Sequence, residues 1–272
     1  MLGIGAVLAV VILVLRRQIP ESPRWLGAKG RDSEANEVLG SISSSVAANE
    51  VAPAKNKAVV NIVPADDRRL PTLAGRVAFV CAFWFAWDVL YYGVSLFAPT
   101  IVKAAHGSTV LADLAGMSLS LVSILGTVIC IYLLVDRFGR RPLLIFGFLG
   151  LSIPLFILAL AGRHPAILLL VILLDLGVLI GNFGPGVLPW IYATDLFPTS
   201  FRAFGTGIGA FWGRVGGLLG VFLFPTLVTH LGISHATYLF VAAGLFGCIV
   251  GLIWAPETKG RSLESLESTL KK

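Results

Sequence analysis

The sequence predicts an all-α protein that crosses a membrane several times, and two counts carry that reading. Of its 272 residues, 56% are hydrophobic and only 13% are charged, about half the charge that a water-facing surface carries. The apolar residues also gather into runs of about twenty or more, the length that spans a hydrocarbon core as a helix. A formal net charge of +6 does not mark a nucleic-acid binder, because the basic residues are spread over the loops between apolar runs, with no aromatic-interleaved patch. Cys81, Cys130 and Cys248 fall inside apolar runs, too few and too scattered for a disulfide framework or a thiolate zinc site. They read as packing residues.

Seven apolar segments follow in order, at residues 1–15, 76–104, 114–135, 142–162, 166–193, 203–230 and 235–254. The first, about 22 Å long at helical rise, falls short of the roughly 30 Å core and reads as the end of a longer helix. A signal peptide is the competing reading, against which stand the missing basic lead and the missing cleavage site. The chain is thus divided into a helix end (1–15), a loop (16–75), a six-helix bundle (76–254) and a tail (255–272). Placing the 16–75 loop in the cytoplasm puts 18 Lys and Arg residues inside against Lys103 and Arg163 outside, with Arg214 within a span. That bias predicts a multi-pass protein of the cell membrane with loop and C-terminus cytoplasmic. His106, His164, His230 and His235 then fall near the outer face, either as scattered interfacial residues or as a metal or pH-sensing cluster. The loop holds an amphipathic helix around residues 33–48, then a low-complexity stretch to Pro71 that should be mobile.

Ionisable residues inside spans are costly and mark functional sites, and here they are Asp88, Asp175 and Arg214. Counted from the inner ends, Asp88, Asn182 and Arg214 each lie roughly 18–20 Å deep, near the bilayer middle. An acid, an amide and a cation at one depth on three helices is how secondary transporters place a substrate site. Trp84, Asp88 and Tyr92 share a helix face at i, i+4 and i+8, with Tyr91 and Ser95 beside it. Burial among aromatic rings disfavours the charged form of a carboxyl group, so Asp88 is expected to load a proton at neutral pH. Asp175 is either a second proton-coupling site or a polar residue paired within the bundle.

Gly181-Asn-Phe-Gly-Pro-Gly186, followed by Pro189 and Trp190, interrupts the fifth span and frees backbone groups that are tolerable only beside a cavity. The expected element is bent and mobile. In the sixth span Gly205, Gly207, Gly209, Gly213, Gly216, Gly217 and Gly220 make a small-residue face for close helix approach. Gly205-Thr-Gly-Ile-Gly-Ala210 imitates a dinucleotide fingerprint, but no strand precedes it. Signatures of metalloproteases, hydrolases, Walker loops and kinases are absent from the sequence. Neither an enzyme nor a cofactor or metal site is indicated.

Four stretches resemble the major facilitator superfamily, in its sugar-porter-like branch, and they occur in register. Pro20-Glu-Ser-Pro-Arg-Trp-Leu26 is similar to the segment leaving the family's sixth helix, and Asp136-Arg-Phe-Gly-Arg-Arg-Pro142 to the loop between its eighth and ninth. Asp195-Leu-Phe-Pro-Thr-Ser-Phe-Arg202 resembles the end of the tenth, and Pro256-Glu-Thr-Lys-Gly-Arg-Ser-Leu-Glu264 the segment after the twelfth. The resemblance implies the C-terminal six-helix bundle of a major facilitator fold, preceded by the end of the sixth helix and the cytoplasmic linker. An N-terminal bundle would then be supplied in cis or as a separate chain. Charged side chains at helix ends can pair across neighbours and part when two bundles rock, so Glu21, Arg24, Asp136, Arg140, Arg141, Asp195, Arg202 and Glu257 are candidate members of a cytoplasmic latch. The competing reading is topology signal plus helix capping.

Within the superfamily, Trp84-Phe-Ala-Trp-Asp88-Val-Leu-Tyr-Tyr92, Asn182-Phe-Gly-Pro185 and the 207–217 glycine stretch are most similar to phosphate:proton symporters. That resemblance implies a substrate site formed by Trp84, Asp88, Tyr92, Asn182 and Arg214, although lysine is typical where Arg214 stands. Gly184-Pro-Gly-Val-Leu-Pro-Trp190 is closer to sugar porters, whose Gln-Gln and Asn signature the second span lacks. A Gly-Arg-x-Gly-Gly segment also occurs in organic-anion porters. The expected function is secondary active transport by alternating access, a proton-coupled symport of a small polar solute or an anion such as inorganic phosphate. A sugar or an organic anion is the alternative substrate. In the anion version a proton on Asp88 ends its repulsion of the solute while Arg214 supplies the compensating charge. The implied partners are a small-molecule substrate, protons and the lipid bilayer. A truncated, non-transporting membrane fragment or a sensor is the reading of a different class.

Overall fold

The computed structural model describes residues 10–17, 19–49, 72–106, 108–160, 166–198 and 200–260. The chain divides into two compact units, Met1–Asn61 and Ile62–Lys272. All regular structure among the described residues is helical.

In the first unit residues 10–16 are helical, and two helices follow, α1 (Pro23–Ala28) and α2 (Asp32–Asn49). Pro23 opens α1, where a missing N–H costs nothing. Asp32 and Glu34 sit in the first turn of α2, where carboxylates complement the helix dipole. Arg31 clasps Glu34 with two bonds of 2.7 and 2.6 Å. Helix α2 coincides with the helix expected over 33–48. Residues 1–9 of the first apolar segment and the stretch to Pro71, expected to be mobile, lie outside the described residues.

The second unit is the bundle. Its elements are α3 (Leu73–His106), α4 (Thr109–Ile129) continuing through a π-helical turn (Cys130–Leu134) into α5 (Val135–Phe138), α6 (Arg140–Leu160), α7 (Ile167–Gly181), α8 (Leu188–Leu196), α9 (Arg202–Leu231) and α10 (Ile233–Trp254). Ser108 caps α4, its hydroxyl accepting from Leu111 N–H at 3.3 Å. The sharp connections after α5 and α9 fall on Gly139 and Gly232, at φ +90° and +82°, a region that side-chain-bearing residues avoid. Among the described residues five segments are long and apolar enough to cross a membrane, and a shorter apolar helix covers Leu168–Gly181.

The core is built around α3, which buries Phe79, Val80, Phe83, Trp84, Trp87 and Leu90 and packs on α9, α10 and α4. Small residues set how close the helices come: Gly216 and Gly220 bring α9 against the carbonyls of Phe85 and Val89, and Gly247 seats α10 on Phe148 of α6. Outward faces stay apolar, with Leu121, Ile124, Phe211 and Phe222 all exposed, as a lipid-facing surface requires.

The interruption expected in the segment 166–193 is a full break rather than a bend: the segment parts into α7 and α8 around a turn at residues 182–187. Pro185 lacks an N–H to continue the ladder, and Gly184 lets the turn sit against the Leu143 backbone while Pro185 packs on Gly147 of α6.

Candidate functional site

The seam between α3 and α9 and the break between α7 and α8 enclose a cavity of about 180 Å³, lined by Trp84, Trp87, Asp88, Tyr91, Tyr92, Asn182, Gly186, Pro189, Trp190 and Arg214. All five residues expected to form the substrate site line it. Glycines on α9 make the approach possible. A Cβ on Gly213 would stand 2.5 Å from Trp84 Cδ1 and 3.0 Å from Asp88 Oδ2, and one on Gly217 would stand 2.9 Å from Tyr92 Cδ2.

Asp88 is buried, and its Oδ2 has no hydrogen-bond partner among the described residues. The nearest charge is Arg214 Nη1 at 3.5 Å, an ion pair rather than a hydrogen bond. That same Nη1 donates to the Tyr92 hydroxyl, and the guanidinium stands 5.6 Å from the centre of the Tyr92 ring, within cation–π range. The Arg214 side chain is 62% exposed. Around the pair the rings form two groups: Trp84 meets Trp190 edge-on at 5.0 Å, while Trp87 stacks on Tyr91 at 5.2 Å and Tyr91 meets Tyr92 at 5.5 Å. Asn182 enters from the break, its amide donating to Val178 O at 2.8 Å.

Trp87, Gly186, Pro189 and Trp190 belong to the wall without having been assigned to it from sequence, and Tyr91 was placed only beside it. The i, i+4 spacing of Trp87 and Tyr91 was the available signal. Asp175 does not join the cavity. It accepts a hydrogen bond of 3.2 Å from the Ser118 hydroxyl of α4.

A second polar cluster gathers at one end of the bundle. Asp195 Oδ2 accepts from Thr258 at 2.7 Å and lies 3.5 Å from Arg140 Nε, while Arg140 Nη1 reaches Asp136 at 3.3 Å. The Glu257 carboxylate accepts from the backbone N–H groups of Arg140, Arg141 and Lys259 at 3.0, 3.1 and 2.9 Å. Of the residues expected in a latch, Asp136, Arg140, Asp195 and Glu257 are thus brought together, and Arg141 joins through its backbone N–H while its guanidinium donates to Leu252 O at 2.9 Å. Arg202 instead reaches the Phe197 carbonyl at 3.4 Å, and Glu21 and Arg24 belong to the other compact unit. Tyr192, which donates to Pro256 O at 3.0 Å, and Thr258 were not foreseen. Replacing Glu257 with Ala removes an acceptor shared by three N–H groups. The thermal midpoint of the detergent-solubilised chain should fall, at about 1.5–3 kcal/mol per charge-assisted bond, and an unchanged midpoint would show that the carboxylate does not hold the turn.

Comparison with known proteins decides what kind of bundle this is. The family described as "Sugar (and other) transporter" matches residues 1–270. The chain belongs to that family. It is 32% identical over 273 residues to the putative metabolite transport protein YaaU of Escherichia coli, covering 97% of this chain and 58% of that protein. It is 30% identical to the major myo-inositol transporter IolT of Bacillus subtilis, covering 100% of this chain and 59% of that protein. The chain thus spans little more than half the length of the curated relatives it matches. Among solved structures, the proton:xylose symporter XylE bound to 6-bromo-6-deoxy-D-glucose superposes with a TM-score of 0.74 at 26% identity, over 96% of this chain and 56% of that one.

Membership in the sugar transporter family makes the chain a multi-pass membrane protein of a transporter family rather than an enzyme. It corrects the emphasis on phosphate. These relatives, like a glucose transporter of Staphylococcus epidermidis and a D-xylose-proton symporter of Escherichia coli, are by name sugar and metabolite transporters, so phosphate finds no support in them and the sugar-porter alternative fits better.

Proposed function

We propose that the chain forms the C-terminal, substrate-holding half of a proton-coupled transporter for a sugar or a related polyol, working by alternating access. One observation carries this reading: a buried carboxyl group and an amide converge on a cavity walled by Trp84, Trp87, Tyr91, Tyr92 and Trp190. Flat aromatic faces suit the C–H faces of a sugar ring, and Asp88 with Asn182 supplies hydrogen bonds to hydroxyls. The relatives support it by their names, which include a glucose transporter and a D-xylose-proton symporter. Asp88 is the proton carrier in this scheme, with Asp175 a second, separate proton site at the α4–α7 contact. An N-terminal bundle, in cis or as another chain, completes the pathway, and the cluster around Asp195 and Glu257 lies at the cytoplasmic face, as the basic-residue bias indicates. The test is uptake of labelled D-xylose, D-glucose and myo-inositol into vesicles bearing the chain as its gene encodes it. Accumulation that collapses with the proton gradient supports the reading, and no uptake of any polyol would sink it.

Arg214 favours a second reading, in which the solute is an organic anion. A guanidinium fork matches a carboxylate, and a neutral polyol has no need of it. The charge moved per solute separates the two. Symport of one proton with a neutral sugar should carry one net positive charge and give an inward current, whereas one proton with a monoanion should carry none. Solid-supported-membrane recording with D-glucose and with a small carboxylate reads the difference.

A further inference from the structure

The break between α7 and α8 leaves a carbonyl outside the helical ladder. Within the turn, Val187 N–H and Leu188 N–H both donate to Gly184 O at 2.9 Å, and Gly186 N–H donates to Gly181 O at 3.2 Å, so none of these amides reaches Phe183 O. A side chain from another element takes that place: the thiol of Cys130, which follows α4, donates to Phe183 O at 2.9 Å. On the same side of α4, the Thr127 hydroxyl donates to Asn182 Oδ1 at 3.4 Å.

The geometry around these bonds is tight. A Cβ on Gly126 would stand 2.7 Å from Leu179 O and 2.9 Å from Asn182 Cβ, so the glycine admits α7 to the face that carries Thr127 and Cys130. Cys130 is fully buried and opens the π-helical turn Cys130–Leu134, a local widening frequent at functional sites. Neither Thr127 nor Cys130 lines the cavity, whereas Asn182, one residue from the orphan carbonyl, does.

We propose that Cys130 and Thr127 are positioning residues for the substrate site. Their two donors hold the broken helix at Phe183 and Asn182 and so fix where the Asn182 amide meets the solute. This rests on the cavity being the site of a transported polyol. A buried carbonyl stripped of its donor carries a desolvation cost, and the turn relieves that cost by shifting, which moves Asn182.

The test compares Cys130→Val and Thr127→Val, which remove the donor, with Cys130→Ser and Thr127→Ser, which supply a hydroxyl donor in its place. In vesicles taking up labelled D-xylose, D-glucose or myo-inositol, each Val variant should raise KM about fivefold, the worth of one hydrogen bond. The proton-driven accumulation ratio should hold, and each Ser variant should restore KM to within about twofold of the unmodified chain. In the solubilised protein the Cys130 S–H stretch, assigned by its loss in Cys130→Ser, should lie below that of a free thiol. A free-thiol frequency overturns the hydrogen bond, and a wild-type KM in both Val variants overturns the positioning role, each leaving the substrate reading intact. Failure of the unmodified chain to take up any of the three polyols overturns the substrate reading and this proposal with it.

Discussion

Asp88→Asn is expected to abolish accumulation of substrate while leaving exchange across the membrane intact. Among the described residues Asp88 is the only carboxyl group lining the cavity; it is buried, and its Oδ2 has no hydrogen-bond partner there. An amide keeps the shape and still bonds a hydroxyl, but it cannot carry a proton from one side to the other. A proton-motive force of about 120 mV is worth about 2.8 kcal/mol per charge, enough for roughly 100-fold accumulation in one-to-one symport. In the variant that ratio should fall to one, because binding and release continue without coupling. Vesicles with an imposed gradient measure the ratio, and counterflow from preloaded vesicles measures the exchange. Accumulation by Asp88→Asn at the unmodified level would remove Asp88 from coupling. A collapse in Asp175→Asn instead would move that role to the Ser118-paired acid.

Much of the bundle was legible because membrane helices announce themselves by length. The structure sets the start of α3 at Leu73 against an expected 76, and α9 and α10 begin at Arg202 and Ile233 against 203 and 235. The fifth span shows where this logic ends. Its Gly/Pro string gave notice of a bend, but the extent of the break depends on Gly184 against Leu143 and Pro185 against Gly147, contacts with α6 that no one-dimensional pattern contains.

The grouping of the candidate site residues was legible for a related reason. Depth counted at a fixed rise works on regular helices, so Asp88, Asn182 and Arg214 could be brought to one level before any packing was known. Depth does not give azimuth. Asp175 had two readings, a second proton site or a polar residue paired within the bundle, and its turn toward Ser118 on α4 is an azimuth that depth could not supply. The leaning toward phosphate failed through scale: it rested on short strings around Asp88 and Asn182, whereas the family match extends over residues 1–270.

Gly220→Ala is expected to destabilise the bundle and Gly207→Ala, the same change on the same helix, is not. At Gly220 the added Cβ would stand 2.5 Å from Val89 O and 3.2 Å from both Val89 C and Cα. That obstacle is backbone, so α9 must move off α3, and overpacking of this kind costs about 1–3 kcal/mol. At Gly207 nothing lies within 4 Å of the new methyl, and alanine gains up to about 1 kcal/mol of helix propensity over glycine. Thermal unfolding in detergent should therefore show a lower midpoint for Gly220→Ala and an equal or higher one for Gly207→Ala. Function should follow stability at Gly220, because the α3–α9 seam sets the 3.5 Å separation of Asp88 and Arg214 and the Arg214 bond to Tyr92. Equal shifts in the two variants would mean that these glycines act through helix propensity rather than contact, and the close approach that assembles the cavity would need another cause.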